Sequence, residues 1–413
     1  MYTNNFRRAM LGDTALLSLD FTTGTVPTAV TFTRADSTAR ATYIDASGHV
    51  KTVTAAGDAR FDYTAGVAKG LLLEAPATNL ARRTDDFNTV VTDGTNWVLS
   101  GYTAGTLSTK LPNGSTGNAR RISIASGGGA FFSQAITVTA STEYTFSFWA
   151  RNNGGSQARY RVWNATAGSS IVDATLPGSN YVSLIGGANN TSSSWVRISV
   201  TFTTPVGCTA IIIYPTSTTS GSVDVLVWGA QLELGSQASS YISNAASQLS
   251  RLADDAVIRS TAWTSLYAQP GAMVVEFYRG AYGAGDRSVL TTDPTAARHW
   301  HLKQANASAT AQIAFSSGSA VTQTGLVSGL NKVAIAWNAP SPTSAFDLCV
   351  NGATPTFGGS NVGTTLSTWL TLGSQSTTGV SGTGVWDGYL NNSIKSVKYY
   401  TGLTYAEMQA KTT

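Results

Sequence analysis

The chain has 413 residues, a formal net charge of +4 and only 12% charged residues, about half the share of an average globular protein. Sixteen Tyr and ten Trp exclude the apolar-poor, charge-rich composition of a disordered chain. No Lys/Arg block stands out, and Arg82-Arg83 and Arg120-Arg121 are isolated pairs, so no nucleic-acid partner is expected.

The first segment, MYTNNFRRAMLGDTALLSLDF, lacks the 7–15-residue apolar core of a signal peptide. No stretch approaches 18 apolar residues, so no membrane insertion is expected. Residues 1–20 read either as a docking arm or as a terminus that is disordered or merely packed. As an arm, Phe6, Met10 and Leu11 would insert into a partner while Arg7 and Arg8 meet its acidic groups. Asp36, Asp45, Asp58 and Asp62 follow in a turn-rich stretch, where nearness in sequence fixes no geometry. GLLLEAPATNL (70–80) reads as a connector. Leu71–Leu73 is expected to be a buried strand, Pro76 to end it by removing a ladder donor, and Asn79 to hold the turn through side-chain-to-backbone hydrogen bonds.

Short runs of period two then recur, the mark of half-buried antiparallel strands. YTFSFWAR (144–151) puts Tyr144, Phe146, Phe148 and Ala150 on one face and Thr145, Ser147, Trp149 and Arg151 on the other. WVRISVTF (195–202) puts Val196, Ile198, Val200 and Phe202 on one face. AIIIYP (210–215) reads as a central strand, and VDVLVWGAQLE (223–233) alternates again. SNAASQLSRLADD (243–255) reads as a weak helix. Met273, Val275 and Phe277, Val333, Ile335 and Trp337, and Phe346, Leu348 and Val350 each alternate, the last set running into the hairpin signal Asn351-Gly352. Thr404 and Glu407 form a capping box that starts a terminal helix. The expected fold is all-β: tandem antiparallel β-sandwiches of jelly-roll type with a short N-terminal arm and a C-terminal helix. The punctuation divides it into a leading module with its arm (1–83), a sandwich (84–243), a linker (244–255) and a second sandwich (256–413).

Little in the chain points to catalysis, and no enzyme is expected. No Gly-x-Ser-x-Gly elbow with a Ser-Asp-His order is present. Gly127–Gly129 and Gly154-Gly155 precede no helical pattern and read as loops. Asp85-Asp86 and Asp254-Asp255 fall at boundaries and read as turn or capping residues. His299 and His301 are too few for a closed zinc site and read as strand-surface residues. Cys208 and Cys349, 141 positions apart within apolar runs, read as buried free thiols. Trp369 and Trp386 read as core residues. RYRVW (159–163) places Arg159, Arg161 and Trp163 on one strand face. If this strand pairs with 144–151, Trp149 and Arg151 join them on one surface. Such a surface suits sugar rings, which stack on indoles, and Arg forks that hold hydroxyls or carboxylates. It equally suits a protein interface, or packing within the chain.

Several stretches resemble a family of tailed-bacteriophage virion proteins of tail, minor-tail and fibre type. They are FTRADSTARATYIDASGHVKTV (32–53), GLLLEAPATNL (70–80), VWGAQLELGSQASSYISN (227–244) and SRLADDAVI (250–258). The central part resembles carbohydrate-binding modules. The last 150 or so residues resemble a laminin-G or concanavalin-like jelly roll, through KVAIAWN (332–338), DLCVNGA (347–353) and LTLGS (370–374). Where the family's usual wording continues after the Leu run with a second acidic residue and an Arg, this chain has Ala75-Pro76-Ala77; that departure weakens the idea that a charged pair is needed at this spot. The resemblance implies a location on the virion, at the tail or capsid surface, with other virion proteins as partners. It also implies a homo-oligomer of the trimeric fibre type, no cofactor, and room for one structural Ca²⁺ without assigned ligands. Two functions are implied: an adhesin for host surface glycans, or a structural head or tail protein whose sandwiches make subunit contacts.

Overall fold

A computed structural model describes residues 15–84, 87, 97–125, 129–153, 159–173, 195–218, 221–244, 247–259, 263, 266, 271–280, 286–292, 300–305, 308–315, 320–337, 344–361, 369–374 and 389–413. The described residues are almost all β, in antiparallel sandwiches, with one capped helix at Tyr405–Thr412. Thr404 accepts from the Glu407 amide and the Glu407 side chain accepts from the Thr404 amide, the expected box. Asn351 and Gly352 both adopt positive φ, as a tight hairpin turn requires. Both cysteines are buried free thiols.

The central sandwich has two five-stranded sheets. One runs Val196–Thr203, Glu143–Asn152, Val223–Leu234, Thr116–Ile124, Thr103–Lys110. The other runs Ser169–Asp173, Arg159–Asn164, Ala210–Thr218, Ala130–Thr137, Val98–Ser100. Period-two patterning makes the core: Phe146, Phe148 and Ala150 meet Val162, Ile211 and Ile213 from the opposite sheet.

The other sandwich is discontinuous in sequence. Its eight-stranded sheet runs Thr356–Asn361, Ser344–Val350, Gly329–Trp337, Gly271–Arg279, Asn392–Tyr400, Val67–Leu73, Phe61–Thr64. The eighth strand, Leu17–Asp20, shares the Asn392–Tyr400 edge with Val67–Leu73, pairing at 396–399 while the latter pairs at 392–394. The facing seven-stranded sheet begins Thr31–Thr33, Asp255–Arg259, Trp369–Leu372. Leu19, Phe21, Leu71 and Leu73 sit in the same core as Met273, Trp300, Ile335 and Val397. The expected boundary at residue 83 therefore delimits no self-contained module: strands from 15–79 complete the C-terminal sandwich, and the central sandwich is inserted between its parts. Gly70 marks how tightly they fit. Its φ is +104°, and a Cβ there would stand 2.2 Å from the Ile394 carbonyl oxygen.

The entry and exit of the inserted sandwich are zipped together. Ala77–Asn79 pairs with Leu249–Arg251, so the described part of 243–255 holds a strand instead of the expected helix, and the expected linker is part of the fold. Leu71 and Leu73 are fully buried, and the strand ends ahead of Pro76. Asn79 Oδ1 accepts from the amides of Ala81 and Leu232, and Nδ2 donates to the carbonyls of Ala230 and Ile242. The connector is thus tied to the last strand of the inserted sandwich and to the segment that leaves it.

Candidate functional site

The five sequence candidates divide between two sheets. Glu143–Asn152 and Arg159–Asn164 lie in opposite sheets of the central sandwich, so Trp149 and Arg151 share no surface with Arg159, Arg161 and Trp163. Pairing of the two strands was the premise of the five-residue surface, and it fails because each strand takes its neighbours from farther along the chain.

Trp149 and Arg151 are 6% and 8% exposed. Trp149 packs against Trp228 and Tyr241, each with ring centroids 5.3 Å away, and shares a cluster with Val50. Val50 belongs to the hairpin of Thr42–Ile44 and Val50–Thr52 in the leading segment. The outer face of this sheet is therefore covered around Trp149 by the leading hairpin. Gly229 makes the room: a Cβ there would come within 2.8 Å of the Trp149 ring. Arg151 donates to Thr109 and lies over the Trp195 ring. Both act as intrachain packing residues.

Arg159, Arg161 and Trp163 are half-buried on the outer face of the second sheet, while Val162 between them is in the core. The Arg161 guanidinium stacks 3.9 Å from the Trp163 ring centroid and 5.8 Å from that of Tyr214, its cross-strand neighbour. Phe131 meets Tyr214 edge-on at 5.9 Å. Phe131 and Tyr214, which sequence reading passed over, extend this surface. Their signal was alternation: in FFSQAIT (131–137) and AIIIY (210–214) they fall opposite the core positions Phe132 and Ile213. Burial raises the Tyr214 hydroxyl above its usual range, against the pull of Arg161, so it stays a neutral donor and acceptor. The result is an aromatic platform with a clamped guanidinium, able to stack on an apolar sugar face and hydrogen-bond its hydroxyls.

The junction of the sandwiches carries the other concentration of chemistry. Arg60 donates to Glu74 at 2.6 Å and also to Asp254. Arg34 pairs with Asp254 at 3.0 Å and Asp36 at 2.8 Å, and Arg251 with Glu74 at 3.4 Å. Glu74 also accepts from the Ser240 amide and hydroxyl. Burial alone would raise the Glu74 carboxyl; Arg251 and Arg60 overcome this and hold it at about 2. A charged pairing does therefore exist at this spot, despite the Ala75-Pro76-Ala77 departure. Glu74 finds its cations elsewhere in sequence. Asp254, expected at a turn or cap, is fully buried in these pairs. This network is structural: each of its carboxylates is committed to guanidinium partners.

His301 is buried, with Nε2 2.8 Å from Ser288 Oγ, rather than on a strand surface. Trp369 is half-buried at a strand end. Phe6, Arg7, Arg8, Met10, Leu11, Asp85, Asp86, Gly127, Gly128, Gly154, Gly155, His299 and Trp386 lie outside the described residues. Among the described residues, no group of three or more His, Cys, Asp and Glu is placed to hold a metal ion, and no helix is long and apolar enough to cross a membrane.

A family of carbohydrate binding domains matches residues 83–221, the greater part of the inserted sandwich. A search of curated proteins gave no match. Among solved structures, the chain is similar to the CBM40 domain of Ruminococcus gnavus IT-sialidase bound to α2,3-sialyllactose, at 19% identity and a TM-score of 0.28, covering 37% of this chain and 87% of that one. It is also similar to the CBM22-1–CBM22-2 tandem of Paenibacillus barcinonensis Xyn10C, at 8% identity and a TM-score of 0.25, covering 78% and 99%. Domains LG4-5 of the mouse laminin α1 chain give 10% identity and a TM-score of 0.23, covering 74% and 92%. At these TM-scores the three likenesses carry no weight for function.

Proposed function

We propose that this chain is a non-enzymatic virion protein of a tailed bacteriophage, a tail-fibre, spike or tail-tip adhesin whose central sandwich binds a host surface glycan. The observation that carries the glycan reading is the carbohydrate-binding-domain match over residues 83–221, the stretch that contains the Arg161–Trp163–Tyr214 platform. The phage assignment rests on the sequence signatures at 70–80 and 227–244, and the virion location, virion partners and trimeric assembly rest on that assignment. In this reading the arm containing Phe6, Arg7, Arg8, Met10 and Leu11 anchors the protein to the particle, and loss of residues 2–15 abolishes incorporation.

The test is a glycan array followed by titration of the best binder. Trp163→Ala, on a half-buried surface position, is expected to weaken binding at least about tenfold, or 1.4 kcal/mol, with unchanged thermal stability. Equal binding by the variant would remove the platform from the site. Release of reducing ends from a host polysaccharide would overturn the non-enzymatic reading.

A second reading has its own observation. Phe357 is 74% exposed on the strand Thr356–Asn361 at the edge of the eight-stranded sheet. A sheet edge with no further strand among the described residues, carrying an exposed aromatic, favours subunit contact, as in a head or tail decoration protein. A concentration-dependent oligomer lost in Phe357→Ser would support it.

A further inference from the structure

A cleft of about 320 Å³ opens where the two sandwiches meet, away from the Arg161–Trp163 platform and large enough for one small ligand. Both sandwiches line it. Tyr43, Lys69, Asn391 and Asn392 come from the discontinuous one, Arg197 from the inserted one, and Ser239 from the segment that leaves it.

The carboxylates in and behind this cleft are already engaged. Asp62 accepts from Lys69 at 3.1 Å and from the Ile44 amide. Glu74 is held by Arg60 and Arg251. Glu233 accepts from Gln231 and from the Ser239 amide and hydroxyl. Arg197 is different. Its Nη2 donates to Ser147 at 3.0 Å and its guanidinium lies 4.6 Å from the Trp149 ring centroid. Its Nε is buried without a hydrogen-bond partner, and among the described residues it has no ion pair. Burial lowers its proton affinity, with Glu233, Glu74, Tyr241 and Asp62 opposing from a distance. Arg nevertheless remains charged. A guanidinium over an indole, short of acceptors and lining a cleft, is a fork with no carboxylate in it.

The rest of the lining describes the body of the ligand. Asn391 Oδ1 accepts from the Ala75 amide and Asn392 Oδ1 from the Ser393 amide, which fixes both side chains and leaves their Nδ2 groups without a hydrogen bond among the described residues. Tyr43 also lines the cleft. We infer that this cleft is a second ligand site, for an acidic monosaccharide unit of hexuronate type. Arg197 takes its carboxylate, and Tyr43, Asn391 and Asn392 meet its ring and hydroxyls. The sugar body of this ligand rests on the glycan reading; the anion does not. A ligand seated here would contact both sandwiches at once.

The experiment is calorimetric titration of the full chain with D-glucuronate, D-galacturonate, the neutral sugars D-glucose and D-galactose, and inorganic phosphate. The expected result is binding of at least one uronate at least tenfold tighter than its neutral counterpart. Arg197→Gln should weaken it tenfold or more. Tyr43→Ala, at a lining residue that makes no contact with Arg197 among those described, should weaken it several-fold with an unchanged melting curve, so the result does not hang on one variant. Equal affinity for neutral sugars, equal affinity for phosphate, or no binding at millimolar concentration would each overturn the proposal. Loss of uronate binding in Trp163→Ala with full binding in Arg197→Gln would also overturn it, by moving the acid to the platform. Glycan-array binding that depends on Trp163 while uronates fail in the cleft would sink this inference alone.

Discussion

Glu74 and Arg60 are joined by a 2.6 Å hydrogen-bonded ion pair, both side chains almost wholly out of water. Arg60 reaches on to Asp254, and Glu74 to Ser240. One pair therefore links the connector that enters the inserted sandwich, the segment that leaves it, and the C-terminal sandwich. Removing one partner leaves an uncompensated buried charge. Glu74→Ala is expected to lower unfolding free energy by about 3–5 kcal/mol, read from urea or guanidinium melts.

The same carboxylate sets an acid limit. Its ordinary value of 4.5 is held down to about 2 in the fold. A depressed carboxylate contributes stability that is complete above the unfolded value and lost as pH falls through the folded one. The loss belongs between about pH 4.5 and pH 2 and amounts to about 3 kcal/mol. Glu233 has the opposite sign: burial raises it, so its neutral form is favoured and its contribution is withdrawn as pH rises. Stability measured against pH should therefore fall on the acid side less steeply in Glu74→Gln than in the parent. Parallel acid limbs in the two proteins would remove Glu74 as the cause.

Trp149→Ala separates packing from recognition. The ring fills the seam between Trp228, Tyr241 and the leading hairpin, so its loss leaves a cavity costing about 3–5 kcal/mol. Affinity for the glycan held at the Trp163 platform should stay at the parent value in the folded fraction. Unchanged stability with lost binding would return Trp149 to a ligand site.

Local patterning made much of this fold legible. Phe146 and Phe148 point to the core because alternation in a strand admits no other arrangement once one face is apolar. Asn79 and the Thr404–Glu407 box were legible for the same reason, since turn and cap chemistry is spelled by adjacent residues. Partnership across the chain was not. Nothing in LSLD (17–20) says that Leu17 stands opposite Tyr399, and nothing in FWAR says that a hairpin 100 residues earlier covers Trp149. One signal was available: in a chain with few charges, Arg60, Glu74, Arg251 and Asp254 border apolar runs, where a charge needs a partner. At the candidate site, Arg161 and Trp163 were legible as one strand face, but Tyr214 and Phe131 join them only through pairing with Ala210–Thr218 and its neighbour.

The discontinuous sandwich makes a prediction about fragments. Residues 80–244 contain both sheets and the whole core of the inserted sandwich, so this fragment is expected to fold alone, with dispersed amide resonances and a cooperative melt. Residues 256–413 contain most of the other core but lack Leu19, Phe21, Leu71 and Leu73. They also lack the strands that pair with Asn392–Tyr400 along one edge. That fragment would expose the edge and an open core, and it should aggregate or stay unfolded. Supplying residues 15–79 as a separate chain should restore soluble, cooperative folding, because those residues bring the missing strands. Independent folding of 256–413 would show that the leading strands decorate this sandwich without completing it.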